Sequence, residues 1–342
     1  MDAGFAPVED AIARGPIPGA AAAIGSRDSE RMSCFGATEP GGAAVTPDTW
    51  FDLASLTKVL CTTPLVLEAI ATGRLDPRAP LRDVLPEIAW LQPGPNIGDA
   101  TVLRLATHTS GLAAWQPLYT LGLDRATQFA RLLHTPITGD PGRIVYSDLG
   151  FMLLGYILER LYASPLESLA RALFARVGLE SHLAYGPPEG APVAPTEQCP
   201  WRGRLLRGEV HDENAFAFGG VSGHAGLFGT LRGVCGYARA LLNCRIHSEA
   251  VLEYLATEHA RAEPPDLERR GFSWSLMFPG WSGGDLMSER SIGHTGFTGT
   301  GIWIDLERGR YSVLLTNRVY PSRHVASNIL ALRRAFNHAA HA

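Results

Sequence analysis

Apolar residues recur at helical spacing in five stretches through the middle of the chain: Leu56–Ala71, Val102–Ala106, Ala126–Leu133, Leu149–Leu161 and Leu166–Val177. Gly73 follows the first of these, where a helix stop belongs. Ahead of them a short helix is predicted around Val8–Arg14. Two strand-like runs follow, Gly19–Gly25 and Arg31–Ala37, with polar Arg27-Asp28-Ser29-Glu30 as their turn. Pro187-Pro188, Pro192 and Pro195 mark a loop-rich segment, after which strands resume. Phe272–Met277, Gly299–Leu306 and Tyr311–Asn317 read as strands, the last two joined by Glu307-Arg308-Gly309-Arg310, and a helical stretch over His324–His338 closes the chain. Strands first, helices in the middle and strands last predict an α/β (α+β) fold, its sheet built from both chain ends with the helices inserted. The expected division is residues 1–54 and 205–342 as a discontinuous sheet domain and 55–204 as a helical domain.

Composition narrows the functional classes. Of 342 residues, 46% are apolar and 19% charged, ordinary globular usage that excludes a disordered or fibrous chain. A net charge of −4 argues against nucleic acid as a partner. The apolar run Ala20-Ala21-Ala22-Ala23-Ile24 is far too short to span a bilayer, so no membrane partner is expected. Met1-Asp2-Ala3-Gly4-Phe5 lacks the features of a secretory signal, and the expected compartment is the cytoplasm. Cys34, Cys61, Cys199, Cys235 and Cys244 are odd in number and lack CxxC spacing, which suits reduced thiols.

One residue count is skewed. The 30 basic residues are 29 arginines and a single lysine, Lys58. A lysine amine can lose its proton when desolvated, whereas a guanidinium stays charged. Lys58 lies three residues after Ser55, where a helical run begins, so both side chains share a helix face. A serine hydroxyl becomes a good nucleophile once a neighbouring base takes its proton, and a neutral lysine can be that base. Unpaired N–H groups at the helix start can stabilise a developing oxyanion.

Further marks occur in order along the chain. Phe51-Asp52-Leu53-Ala54-Ser55-Leu56-Thr57-Lys58 resembles the nucleophile segment of the penicillin-recognising serine hydrolases, in the class C β-lactamase branch that also holds D,D-peptidases and carboxylesterases. Leu105–Leu112, Tyr146-Ser147-Asp148, Gly219–Phe228 and His294-Thr295-Gly296 are similar to later segments of that branch. The resemblance covers roughly residues 5 to 335. It implies a five-stranded antiparallel sheet flanked by terminal helices, an inserted all-helical domain and an active site at their junction. It also implies Ser55 as the acylated nucleophile, with Lys58 and Tyr146 as its proton-transfer partners. His294-Thr295-Gly296 would form an edge strand lining the cleft, with His294 a donor or part-time cation toward substrate. Gly296 would let substrate lie close, and the second oxyanion N–H would belong to Phe297.

Asp148 departs from the family pattern. The family asparagine there donates to the substrate's amide carbonyl, and an ionised Asp can only accept. That favours small carboxylic esters over D-Ala-D-Ala-type peptides or β-lactams, the alternative substrates. A non-catalytic ligand-binding module on the same scaffold is the second alternative. No cofactor is expected, since nothing suggests a phosphate cradle for a Schiff-base cofactor on Lys58. No metal is expected either: His211-Asp212-Glu213 with His224 fits no zinc spacing. His108 is expected to be buried and structural.

Overall fold

The computed structural model describes residues 2–342 except 93 and 95. Its largest sheet has eight antiparallel strands: β1 Gly19–Ser26, β2 Glu30–Gly36, β3 Ala260–Ala262, β4 Glu268–Arg270, β5 Ser275–Leu276, β6 Ser291–Thr295, β7 Gly301–Asp305 and β8 Arg310–Thr316. Their spatial order is β2-β1-β8-β7-β6-β5-β4-β3, so N-terminal and C-terminal strands meet where β1 pairs with β8. The five strands expected from the resemblance are therefore extended to eight. The addition is the meander β3–β4–β5: β5 falls within the predicted run Phe272–Met277, whereas β3 and β4, three residues each, are too short to leave an alternating pattern in sequence.

The alanine run of β1 is explained by its central place. Ala20, Ala22 and Ile24 face one apolar cluster, and Ala21 and Ala23 face the other. Small side chains on both faces let helices approach from both sides. On one face lie helix α1 (Ala6–Arg14) and the C-terminal helix, with Phe5, Val8, Trp303, Leu332 and Phe336 sharing a cluster. On the other lie Leu231–Leu242, a helix the sequence reading did not separate from the terminal strands, and the main core.

The middle of the chain is helical as expected. Asp148–Tyr162 is helix α2, capped by the Ser147 side chain, which accepts from the Gly150 N–H. Leu166–Val177 is α3 and ends at left-handed Gly178. Phe51–Asp52 pairs instead with Leu227–Gly229, in a small sheet that includes Leu183–Tyr185. That pairing anchors the start of the Ser55 segment against the segment containing His224.

Four of the six buried histidines are held neutral by this packing. Burial lowers His247 and His341 to about 4 and holds His108 and His294 well below the ordinary 6.5. Each is neutral when folded and gains a proton on unfolding as pH falls below 6.5, so unfolding takes up protons and stability falls with it. Stability should be complete above about pH 6.5 and decline toward pH 4. Guanidinium unfolding should show a lower midpoint at pH 5 than at pH 7, with a shallower dependence in His341→Asn; a midpoint independent of pH over that range contradicts the account.

Candidate active site

The Ser55 segment departs from regular helix on both sides of the serine. Ala54 is in the left-handed region at φ 49°, and the N–H groups of Leu56, Thr57 and Lys58 each donate three residues back. The next turn is wide: the Thr63 N–H donates to the Lys58 carbonyl, an i→i+5 bond. Such widened turns recur at functional sites because they re-aim side chains. Here the turn directs Lys58 inward, where it is fully buried.

Three groups surround the Lys58 ammonium. Nζ donates to Ser55 Oγ at 3.0 Å and to the His224 carbonyl at 3.1 Å, and it lies 2.7 Å from Asp148 Oδ1. The Tyr146 ring is 5.0 Å from Nζ. Burial alone favours the neutral amine, but Asp148 and Tyr146 outweigh it and raise Lys58 above its ordinary 10.5. The resting lysine is therefore an ammonium, a correction to the expectation of a neutral amine beside Ser55. Asp148 is the reason. It sits in the first turn of α2 with its carboxylate against Lys58.

The segment after β6 closes against Ser55. Thr298 Oγ1 donates to the Asp52 carbonyl at 2.7 Å and Thr300 Oγ1 to the Leu53 carbonyl at 3.1 Å. A Cβ on Gly296 would lie 2.1 Å from Thr300 Oγ1 and 2.6 Å from the Leu53 carbonyl. Protein packing thus requires glycine at 296 independently of any substrate. The backbone N–H groups of Ser55 and Phe297 make no hydrogen bond among the described residues, as a pair of oxyanion donors would require.

His294 and Thr295 reach this place on a strand that is not an edge. β6 is paired on both sides, but β5 has only two residues and ends opposite Gly293, leaving the His294 end open. Burial, then the charges of Lys58 and Arg270, keep His294 neutral. Its Nδ1 lies 3.0 Å from the Thr295 carbonyl, which assigns the proton to Nδ1 and leaves Nε2 an unpartnered acceptor. Of the donor or part-time cation expected here, the cationic form is disfavoured at neutral pH. His108 is buried as expected: Nδ1 accepts from the Ser147 N–H, and its ring packs 4.4 Å from that of Tyr146.

Ser55, Tyr146, Asp148 and His294–Phe297 line one cavity of about 750 Å³. His211, Asp212, Glu213 and His224 line it too, although their spacing had been set aside. His224 Nε2 donates to Asp212 Oδ1 at 2.9 Å, while the His224 carbonyl accepts from Lys58. Atoms of Asp148, Asp212 and His224 lie within 4.8 Å of one another, with the Lys58 ammonium beside them as the local cation. Arg318 and Arg333 on the cavity wall make no ion pair among the described residues. No sequence spacing marked them, because each is reached through the 296–300 turn: Arg318 Nε donates to the Phe297 carbonyl and Arg333 donates to those of Gly296 and Thr300.

Comparison with known proteins gives this geometry a family. The Beta-lactamase family model matches residues 6–336. The chain belongs to the beta-lactamase family. Within it, a Salmonella agona protein provisionally named D-alanyl-D-alanine carboxypeptidase is 29% identical over 311 residues, covering 80% of this chain and 70% of the relative. Two solved structures share the fold. EstCE1, a hydrolase with promiscuous acyltransferase activity, aligns with TM-score 0.77 at 18% identity over 98% of this chain and 97% of that one. A class C beta-lactamase from Rhodobacter sphaeroides aligns with TM-score 0.74 at 21% identity over 99% of both chains. The chain is a serine hydrolase of the beta-lactamase family.

The Gly296 contact gives a direct test of how the cavity is held together. Gly296→Ala forces its Cβ into the Leu53 carbonyl, so the 296–300 turn must move off Ser55. We expect about 1–3 kcal/mol lower stability and at least tenfold slower labelling of Ser55 by a fluorophosphonate. Unchanged labelling in the folded variant contradicts the packing argument.

Proposed function

We propose that this family member hydrolyses small carboxylic esters through a covalent acyl-enzyme on Ser55. The observation that carries the proposal is the 3.0 Å contact between Ser55 Oγ and the Lys58 ammonium at the wall of an open cavity. In this reading, Asp148 takes a proton from Lys58 across 2.7 Å as Nζ receives the one leaving Oγ. The serine oxygen then attacks the ester carbonyl, and the N–H groups of Ser55 and Phe297 stabilise the developing oxyanion. Tyr146 protonates the departing alkoxide, and the proton held on Asp148 returns through Lys58 to restore the phenol.

Two features support an ester with an apolar group. Asp148 is engaged by Lys58, so no side-chain amide stands there to hold a peptide carbonyl. Trp115 and Phe297, 44% and 49% exposed, line the cavity and present apolar surface to a substrate. His294 and Thr295 would flank the bound acyl group along the open end of β6.

A second reading has its own observation. Burial and then neighbouring cations depress Arg318 and Arg333, the latter to about 9, and neither has a carboxylate partner among the described residues. Two guanidinium groups without counter-charge suit a substrate carboxylate, as in a D-Ala-D-Ala-type peptide. The provisional name of the Salmonella agona relative points the same way.

Intact-mass labelling with a fluorophosphonate tests the shared chemistry. One adduct is expected on wild type and none on Ser55→Ala. Lys58→Arg should label at least a hundredfold more slowly, since it keeps the charge but cannot relay a proton. Equal labelling of wild type and Lys58→Arg contradicts the mechanism. Faster turnover of p-nitrophenyl butyrate than of nitrocefin or a D-Ala-D-Ala peptide is expected for the ester reading; the reverse order supports the second.

A further inference from the structure

We infer that Asp148, besides fixing the charge of Lys58, is the general base that activates the hydrolytic water once Ser55 is acylated. The inference rests on the Ser55 acyl-enzyme reading and deepens it. Three observations support it.

The first is position. Asp148 Oδ1 and Ser55 Oγ both contact Lys58 Nζ, at 2.7 and 3.0 Å, so they are separated by less than two hydrogen-bond lengths. A water hydrogen-bonded to the carboxylate therefore reaches an acyl carbon on Oγ. The second is access. Oδ1 is buried against Nζ, so the exposed part of the side chain, 19% overall, lies away from that atom, and the residue lines the cavity. The carboxylate thus faces Lys58 with one oxygen and leaves its other edge for a water on the cavity side. The third is that two other ionisable neighbours are less suited to the task. His294 is kept neutral and weakly basic by burial and two nearby cations. Asp212 Oδ1 already accepts from His224 and from the Ala215 N–H.

The step balances without an outside reagent. The water oxygen bonds to the acyl carbon as one of its protons passes to Asp148. The tetrahedral intermediate collapses, the C–Oγ bond breaks, and Oγ takes a proton from the Lys58 ammonium. The proton on Asp148 returns to Nζ, and the carboxylic acid product leaves with the resting charges restored. An asparagine at this position could hold the water but not take its proton. The same carboxylate that removes the amide donor thereby supplies the base for turnover.

The decisive variant is Asp148→Asn, assayed with p-nitrophenyl butyrate and by intact mass. Loss of a general base predicts a kcat at least a hundredfold lower. Acylation also uses Asp148, so kcat/KM should fall too, but by less than kcat; KM therefore falls, with a stoichiometric burst and an accumulated butyryl adduct on Ser55. Hydroxylamine, a nucleophile that needs no base, should restore turnover and release the hydroxamate. A role confined to acylation, structure or counter-charge would lower kcat/KM at least as much as kcat and give neither the adduct nor the hydroxylamine rescue. That result overturns the inference, as does wild-type turnover or an adduct that accumulates in His294→Gln but not in Asp148→Asn. Failure of every variant and of wild type to form an adduct would instead remove the acyl-enzyme reading itself.

Discussion

A fully buried cation must be matched by its surroundings, and Lys58 is matched by a carboxylate, a carbonyl and a hydroxyl brought from three parts of the chain. Asp148 comes from the first turn of α2, the His224 carbonyl from a glycine-rich loop, and Ser55 from the turn just before Lys58 itself. Removing any of them leaves a charge in a low-dielectric interior, so the fold and the chemistry share one constraint. The loop obeys it closely. A Cβ at Gly223 would lie 2.1 Å from the Phe151 carbonyl, so glycine lets this segment press against α2 while the next residue presents its carbonyl to Nζ.

Around that centre the cavity is divided electrically. Near Ser55 stand a lysine–aspartate pair and a neutral histidine, a balanced region in which protons can move over short distances. Toward Arg318 and Arg333 the wall is positive, and both guanidinium groups hold the 296–300 turn by its carbonyls. One turn thus connects the Phe297 backbone to the cationic wall. A substrate anchored through that wall is oriented relative to Ser55 by rigid backbone, the condition under which positioning accelerates a reaction.

Much of this was legible in the chain. The single lysine three residues after Ser55 identified the centre, and the flanking motifs placed Tyr146, Asp148 and His294–Phe297 in the same cavity. Long helices such as Leu149–Leu161 were visible through their periodicity. What the sequence hid depends on contacts between distant segments. Asp148 reads as a missing amide donor until its distance to Lys58 is known, and His294 reads as a cation until its burial is known. Strands of three residues carry no pattern, so β3 and β4 escaped notice, while β5 lies within the run Phe272–Met277. The helix Leu231–Leu242, between the glycine-rich loop and the terminal strands, was not anticipated. His224 was weighed as a metal ligand by its side chain, whereas the atom that meets Lys58 is its backbone oxygen.

Because the chain has one lysine, its side-chain amine can be observed without ambiguity. Lysine labelled with 13C at Cε should give a single side-chain resonance whose pH titration reports the charge of Nζ directly. A midpoint above the ordinary 10.5 in wild type, falling when Asp148 is replaced by Asn, is the result the account predicts. A wild-type lysine that titrates near neutral pH, or one whose midpoint is indifferent to Asp148, would contradict it.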